Sequence, residues 1–414
     1  MRDRYELPPS VPARAGTFAA LGTRDFRVLW SGTWASYIPF FMSNVVNGVV
    51  AFQLTHVNRG FGAVMLGQGL AMAVLAPFGG AGADRWPKRR LLAASQTCGA
   101  AVFGSFAVLL ALHSLTILAM ALGVFVLGVA VSFLGPARQA LAAELVVPEL
   151  RGNAVALNQI PLTGSQLLGP AIAGLLLNSP FGAVGAYALM SALYAIAALS
   201  LFWLPKSLVR ANAGDSHLFA DLVEGLEYVW AHRRLRLLVS FFVCVIVAGF
   251  SYVTMLAGLV EHAFERGAQA GVPPLTFTSA LGGLVISLIT ARMAGGVRVL
   301  PLFLTMPFVF AAGLLCLGAA PSYSAAVAAM LLVGIGFGGF QTLNSAVIVQ
   351  NTEPAYFGRV FSLSMLAFAG VSLMGLPVAA FADAVGERTT LAVLSAAVVA
   401  ISLGIGAMLR RTHS

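Results

Sequence analysis

Twelve apolar segments separated by short polar breaks dominate this chain and leave it few ways to fold. They run at 28–53, 62–82, 91–112, 115–137, 153–177, 182–204, 237–260, 274–291, 299–319, 324–348, 360–382 and 390–409. Crossing the hydrocarbon core of a bilayer as an α-helix takes about 20 apolar residues, within a range of about 17–25. Only 9% of the 414 residues are charged, against about 25% in a soluble domain, so these segments have no soluble surface to hide behind. The runs are continuous rather than alternating, which excludes a transmembrane β-barrel. The sequence predicts an all-α membrane protein with twelve transmembrane helices.

Charge placement orients them. With the amino terminus in the cytoplasm, 21 of the 24 Lys and Arg fall on the cytoplasmic side, and only Arg59, Arg266 and Arg388 fall outside. This is the positive-inside asymmetry, and it puts both termini in the cytoplasm. The net charge of +9 is then a topology signal within a membrane-lipid environment, not a nucleic-acid footprint. Residues 1–27 form a polar tail with no apolar core for a cleavable signal. The expected organisation continues with a six-helix bundle at 28–204, a linker at 205–236, a second bundle at 237–409 and a tail at 410–414. Leu218, Phe219, Leu222, Leu226, Val229 and Trp230 recur at helical spacing in the linker, the pattern of a helix lying on the inner membrane surface. Arg outnumbers Lys 22 to 2, which points to a GC-rich bacterial genome and an inner (cytoplasmic) membrane.

The two halves repeat. Pro148-Glu-Leu-Arg-Gly152-Asn-Ala-Val-Ala-Leu157 aligns with Pro354-Ala-Tyr-Phe-Gly358-Arg-Val-Phe-Ser-Leu363, 206 residues on. At nearly the same shift, Gly169-Pro170 meets Gly375-Leu-Pro377. Duplicated halves with paired helix breakers are the build of secondary transporters, whose substrate site lies between the halves near the midplane.

After the second segment comes Gly80-Ala-Gly-Ala-Asp84-Arg85-Trp-Pro-Lys88-Arg89-Arg90-Leu-Leu92. This resembles the signature loop of the major facilitator superfamily, departing from it at Gly82 and Pro87. Gly135-Pro-Ala-Arg138-Gln139 through Glu144, Phe26-Arg-Val-Leu-Trp30-Ser-Gly32 and the linker run Phe219 to Val229 are similar to the branch of that family that contains the enterobactin exporter and macrolide-efflux proteins. The resemblance covers residues 20–408. It implies two pseudo-symmetric six-helix bundles and efflux of medium-sized organic molecules, often by proton antiport. Gly169, Pro170 and Gly174 resemble the antiporter motif of drug exporters, where small residues allow close helix packing. One departure is that Val124 stands four residues before Gly128, where drug antiporters often carry Arg.

By charge, Asp84 can accept hydrogen bonds from a helix terminus of the other half, and Arg85, Lys88 and Arg89 can pair with Glu144. With Arg138 and Arg359 these residues are the expected inner gate. The acids stand at segment ends, with Glu261 and Asp383 at the outer mouth as the expected proton-coupling pair. Recognition is left to neutral groups on the segments that line the cavity in the family: Tyr37, Asn44 and Asn47; Ser251, Tyr252 and Thr254; Gln341 and Asn344; with Asn158 and Gln166 on the fifth. Cys98, Cys244 and Cys316 lack metal-ligand spacing, and no cofactor is expected. The functional expectation is a monomeric exporter of drug-like or siderophore-like amphipathic molecules, coupled to protons. A facilitator or importer of the same fold is the alternative, and a polytopic enzyme is disfavoured because no loop gathers a convergent catalytic set.

The topology is testable by carboxyl-terminal fusions. A fused green fluorescent protein should fluoresce and a fused alkaline phosphatase should stay inactive; the reverse pattern would overturn the orientation.

Overall fold

The computed structural model describes residues 17–85, 87–204, 218–291, 299–353 and 356–410; the side chains of 76–85, 133–136 and 218–223, with a few single positions, fall outside that description. The described chain is helical: α1 (Arg24–Thr55), α2 (Asn58–Arg85), α3 (Lys88–Ala111), α4 (Ile117–Glu144), α5 (Arg151–Leu177), α6 (Gly182–Ser200), α7 (Leu218–Ala231), α8 (Arg233–Phe250), the single turn α9 (Leu256–Gly258), α10 (Ala268–Ala291), α11 (Val299–Ala319), α12 (Tyr323–Asn351), α13 (Phe357–Val385) and α14 (Glu387–Arg410). Among the described residues ten helices are long and apolar enough to cross a membrane, eleven with the two arms of α4 taken as one span. The remaining long helix, α2, has 28 residues and packs along α4 and α13.

In hydrocarbon each backbone N–H and C=O needs a partner inside the protein, so apolar runs of this length become helices. Their ends are finished locally. Thr116 Oγ1 accepts from the Ala119 N–H (3.2 Å) at the start of α4, and Ser322 Oγ accepts from the Ala325 N–H (3.3 Å) at the start of α12. These hydroxyl caps stand 206 residues apart, the offset of the sequence repeat. Interior prolines free carbonyls that neighbouring helices can take up. Pro273 in α10 has no N–H for the Gln269 carbonyl four residues back; that carbonyl accepts from Asn178 Nδ2 at the end of α5 instead (3.1 Å). The expected span at 274–291 therefore begins six residues early, at Ala268.

In the first half, α1 packs on α5 and α6, α2 on α4, and α3 on α4 and α6; in the second, α12 packs on α10 and α11, and α14 on α8 and α11. Two seams join the halves, α2 against α13 and α5 against α10. Glycine makes the first seam close. A Cβ on Gly62 would sit 2.8 Å from the Leu376 Cα, and one on Gly69 would sit 2.8 Å from the Leu373 nitrogen.

The apolar core divides along the membrane normal. One buried cluster runs through both halves, from Met42–Phe52 and Phe103 to Leu256–Val260, Leu314 and Val378. Toward the face that carries the described chain ends (the terminal face), packing splits into two separate clusters. Phe26, Leu29, Leu92, Leu141 and Leu150 belong to the first half; Val229, Leu235, Ile348, Val360 and Leu363 belong to the second.

Two spans are irregular. The backbone of α4 bends by 42° between Ser132 and Ala137, where Gly135-Pro136 interrupts the hydrogen-bond ladder. The span that starts as α8 passes through a 3₁₀ stretch (Ser251–Met255), α9 and a π turn (Leu259–Ala263). The segment expected as a signature loop is mostly helix end: α2 continues to Arg85 and α3 starts at Lys88. In the expected linker, α7 is docked on the second half. Val229 is buried there, and the Tyr228 and Tyr356 rings stack with centroids 4.0 Å apart. Leu226 and Trp230, one turn apart, stay exposed.

Gly62→Val tests the α2–α13 seam. Overpacking of this kind costs about 1–3 kcal/mol, so the purified variant should melt earlier than the parent. Gly404→Ala, where an added Cβ meets nothing within 4 Å, should not. Equal melting of both would refute the close seam.

Candidate substrate site and gates

Every hydrogen bond between the two halves, among the described residues, lies at the face opposite the chain ends (the distal face). The amino end of α2 exposes backbone N–H groups with no helical partner, and Asp383, near the end of α13, takes two of them. Its Oδ1 accepts from the Asn58 N–H (2.8 Å) and its Oδ2 from the Arg59 N–H (3.0 Å). A carboxylate placed there also meets the positive end of the helix dipole. The Asn58 side chain extends the join: Nδ2 donates to Glu387 Oε1 (2.8 Å), and Oδ1 accepts from the Gly258 N–H (3.2 Å). Glu387, 8% exposed, also meets His262 Nδ1 at 2.8 Å. Gln53 donates to Gln269 (2.7 Å) beside the Asn178 bond already described.

Of the expected coupling pair, Asp383 is thus in the latch, whereas Glu261 is half-buried in the π turn next to His262. Glu387 and Asn58 were not singled out from the sequence. The legible signal was the four-residue spacing of Asp383 and Glu387 across the gap between α13 and α14.

On the terminal face the expected gate residues are partly dispersed. Lys88 pairs with Glu144, as their charges suggested, within the first half. Arg89 turns instead to the Phe202 carbonyl (3.0 Å). Arg359 pairs with Glu224 of α7 at 2.8 Å. Tyr356 donates to the same carboxylate (3.1 Å), and that hydrogen bond, with the charge of Glu224, holds its phenol above the usual range. Gly80 lies in the last turns of α2; the side chains of Asp84 and Arg85 are outside the described residues.

Arg138 is not at the rim at all. It is 3% exposed, and Nη2 donates to Ser36 Oγ on α1 (2.9 Å). The guanidinium carbon stands 4.9 Å from the centre of the Tyr37 ring. A 42° bend in α4 lies just before it, a feature that hydrophobicity alone does not reveal.

The cavity candidates separate in the same way. Asn44 and Asn47 line a cavity of about 20 Å³, with Phe40, Gln68 and Tyr194, and that is room for roughly one water. Asn47 also accepts from the Tyr187 hydroxyl (3.0 Å). Asn44 is exposed although α1 is buried on both sides of it. Asn158 is engaged in helix packing, accepting from Thr33 (3.4 Å). Tyr252 and Asn344 are buried in the second half, and Gln166 and Gln341 are half-buried. In the antiporter-like segment a Cβ on Gly169 would meet Phe41 of α1, and one on Gly174 would meet Pro273 of α10, both at 2.7 Å; Pro170 is buried between them. These residues are packed contacts, one of them across a seam.

Two helical bundles, joined by glycine-lined seams and latched at one face, define a polytopic secondary transporter. The model of the Major Facilitator Superfamily matches residues 29–375, and the chain belongs to that family. Its relatives are transporters, not enzymes. It is 23% identical to the staphyloferrin A transporter of Staphylococcus aureus over 80% of this chain and 82% of that one. It is 22% identical to macrolide efflux protein A of Streptococcus pyogenes over 87% and 90%. Among solved structures, a mutant of the nucleoside transporter NupG superposes with a TM-score of 0.75 at 14% identity, covering 92% of this chain and 99% of that one. That likeness bears on the fold alone.

Asn58→Ala removes two inter-half hydrogen bonds, each worth about 1 kcal/mol net. The population open at the distal face should rise by more than tenfold, read as longer distances between spin labels on Val57→Cys and Arg388→Cys. Unchanged distances would show that Asn58 holds nothing.

Proposed function

We propose that this protein exports medium-sized amphipathic organic molecules across the bacterial cytoplasmic membrane by alternating access, as a monomer and in exchange for protons. The observation that carries the reading is the latch at the distal face, where Asp383, Glu387 and Asn58 tie the two bundles. With the termini in the cytoplasm, the distal face is the outer one. The latch then closes the outer mouth, while the gate residues Lys88, Glu144 and Arg359 lie at the inner one.

Proton coupling is supported by where the carboxylates stand. Asp383 and Glu387 hold the latch as acceptors, and protonating a carboxylate removes acceptor capacity. Protons arriving from outside would therefore favour opening to the outside, the step at which an exporter releases its load. Glu261, in the neighbouring turn, is the second candidate relay. The names of two relatives, a macrolide efflux protein and a staphyloferrin A transporter, agree with an amphipathic organic cargo.

The facilitator or importer reading has one observation in its favour. Among the described residues the acids stand at helix ends or in connections, so no carboxylate sits at mid-span to carry a proton past the substrate.

The test is an accumulation panel of macrolides and other amphipathic compounds in a pump-deficient host, with and without an uncoupler. Export predicts lower accumulation of at least one compound, reversed by the uncoupler and by combining Asp383→Ala with Glu261→Ala. Extrusion that survives both treatments would refute proton coupling, and higher accumulation on expression would favour import.

A further inference from the structure

Arg138 is charged at any pH reached in a cell, lies in a membrane-spanning helix, and has no counter-ion among the described residues. Of its three nitrogens, Nη2 is bonded to Ser36, while Nε and Nη1 are buried with no hydrogen-bond partner. Ser36 cannot neutralise it, because its own hydroxyl is donated to the Gly32 carbonyl (2.7 Å). The other close groups are aromatic: the Tyr37 ring and the Tyr194 phenol. Ionisable groups inside membrane segments are costly and are usually kept for function. A guanidinium with open donors is suited to an oxyanion, which it can hold by two parallel hydrogen bonds.

The surroundings show where such an anion would come from. Ser36, Tyr194 and Arg138 are each under 5% exposed, while Tyr37 is half-exposed, so the approach to the charge runs past the Tyr37 ring. The small cavity described above has Tyr194 in common with these surroundings, although Arg138, Ser36 and Tyr37 do not line it. Tyr194 lines it, as do Val124, Leu127 and Val131 on α4. Its other walls mix the apolar Phe40, Phe61 and Met65 with the polar Ser43, Asn44, Asn47 and Gln68.

We propose that Arg138 is a recognition site for the carboxylate of the transported molecule, with Tyr37 at its entrance. The substrate class is therefore amphipathic organic acids. This rests on the export reading and narrows it, and it replaces the expectation that recognition is left to neutral groups. The buried cation is left open when the site is empty and is neutralised when the acid binds.

The test uses the full-length protein in neutral detergent, with 1-naphthylacetate and its uncharged counterpart 1-naphthylacetamide as probes and thermal unfolding as the readout. The acid should raise the melting temperature saturably and at about tenfold lower concentration than the amide, in line with a charge-assisted pair. Arg138→Gln should abolish the response to the acid while melting no earlier than the parent when ligand-free, because an unpaired charge has been removed. Arg138→Lys should retain part of the response. A merely structural arginine would give the opposite pattern, early melting of Arg138→Gln with no acid effect in the parent.

The proposal is overturned if acid and amide act alike, or if the acid effect survives Arg138→Gln. It is also overturned if phosphatidylglycerol vesicles, rather than the acid, stabilise the parent through Arg138. Export of neutral compounds by a protein that ignores the acid would sink this inference and leave the export reading standing. Acid binding through Arg138 without any extrusion would do the reverse.

Discussion

Lipid offers no hydrogen bonds, and that constraint shapes the molecule from the helices outward. Each long apolar run must close its own backbone ladder, and wherever the ladder is broken the freed group must find a partner nearby. The breaks here are answered across helices. The carbonyl that Pro273 frees is taken by Asn178 from the other bundle, and the open N–H groups at the start of α2 are taken by Asp383. Backbone satisfaction, usually a local matter, is thus shared between the halves and becomes the means by which they hold together.

The repeat explains the arrangement of the seams. A shift of 206 residues carries Pro148 to Pro354 and the Thr116 cap to the Ser322 cap. In helix order the same operation exchanges α5 for α13 and α2 for α10. The α2–α13 and α5–α10 contacts are therefore copies of one another, and each contains a glycine that lets the helices approach. What is not copied is the polar chemistry at their ends: the first seam ends at the acids Asp383 and Glu387, the second at the neutral pair Asn178 and Gln269.

Much of this was legible in the sequence because its signals are one-dimensional. Apolar run length gave the spans, and the repeat offset gave the pairing of the halves. The Lys88–Glu144 pair followed from sign and position. The site was less legible because it depends on direction. Arg138 was visible as a basic residue near a helix end, yet it is buried against Ser36 of α1, just past a 42° bend. Asn158 looked like a cavity residue but is spent on a helix contact with Thr33. Asn58 and Glu387, 329 positions apart in the chain, carry no mutual signal in a single sequence.

The docking of α7 has a mechanical corollary. Its stacked tyrosines and the Glu224–Arg359 pair fasten it to α13, and Leu226 and Trp230 project from it uncovered. Its packing on α8 and α13 outweighs its contact with α2, so in the proposed cycle it would travel with the second half, like a keel fixed to one side of a hull. In the alternating-access cycle proposed above, each turnover would sweep an indole and a leucine through the headgroup zone, and the fluidity and charge of that leaflet would contribute to the barrier between the two states.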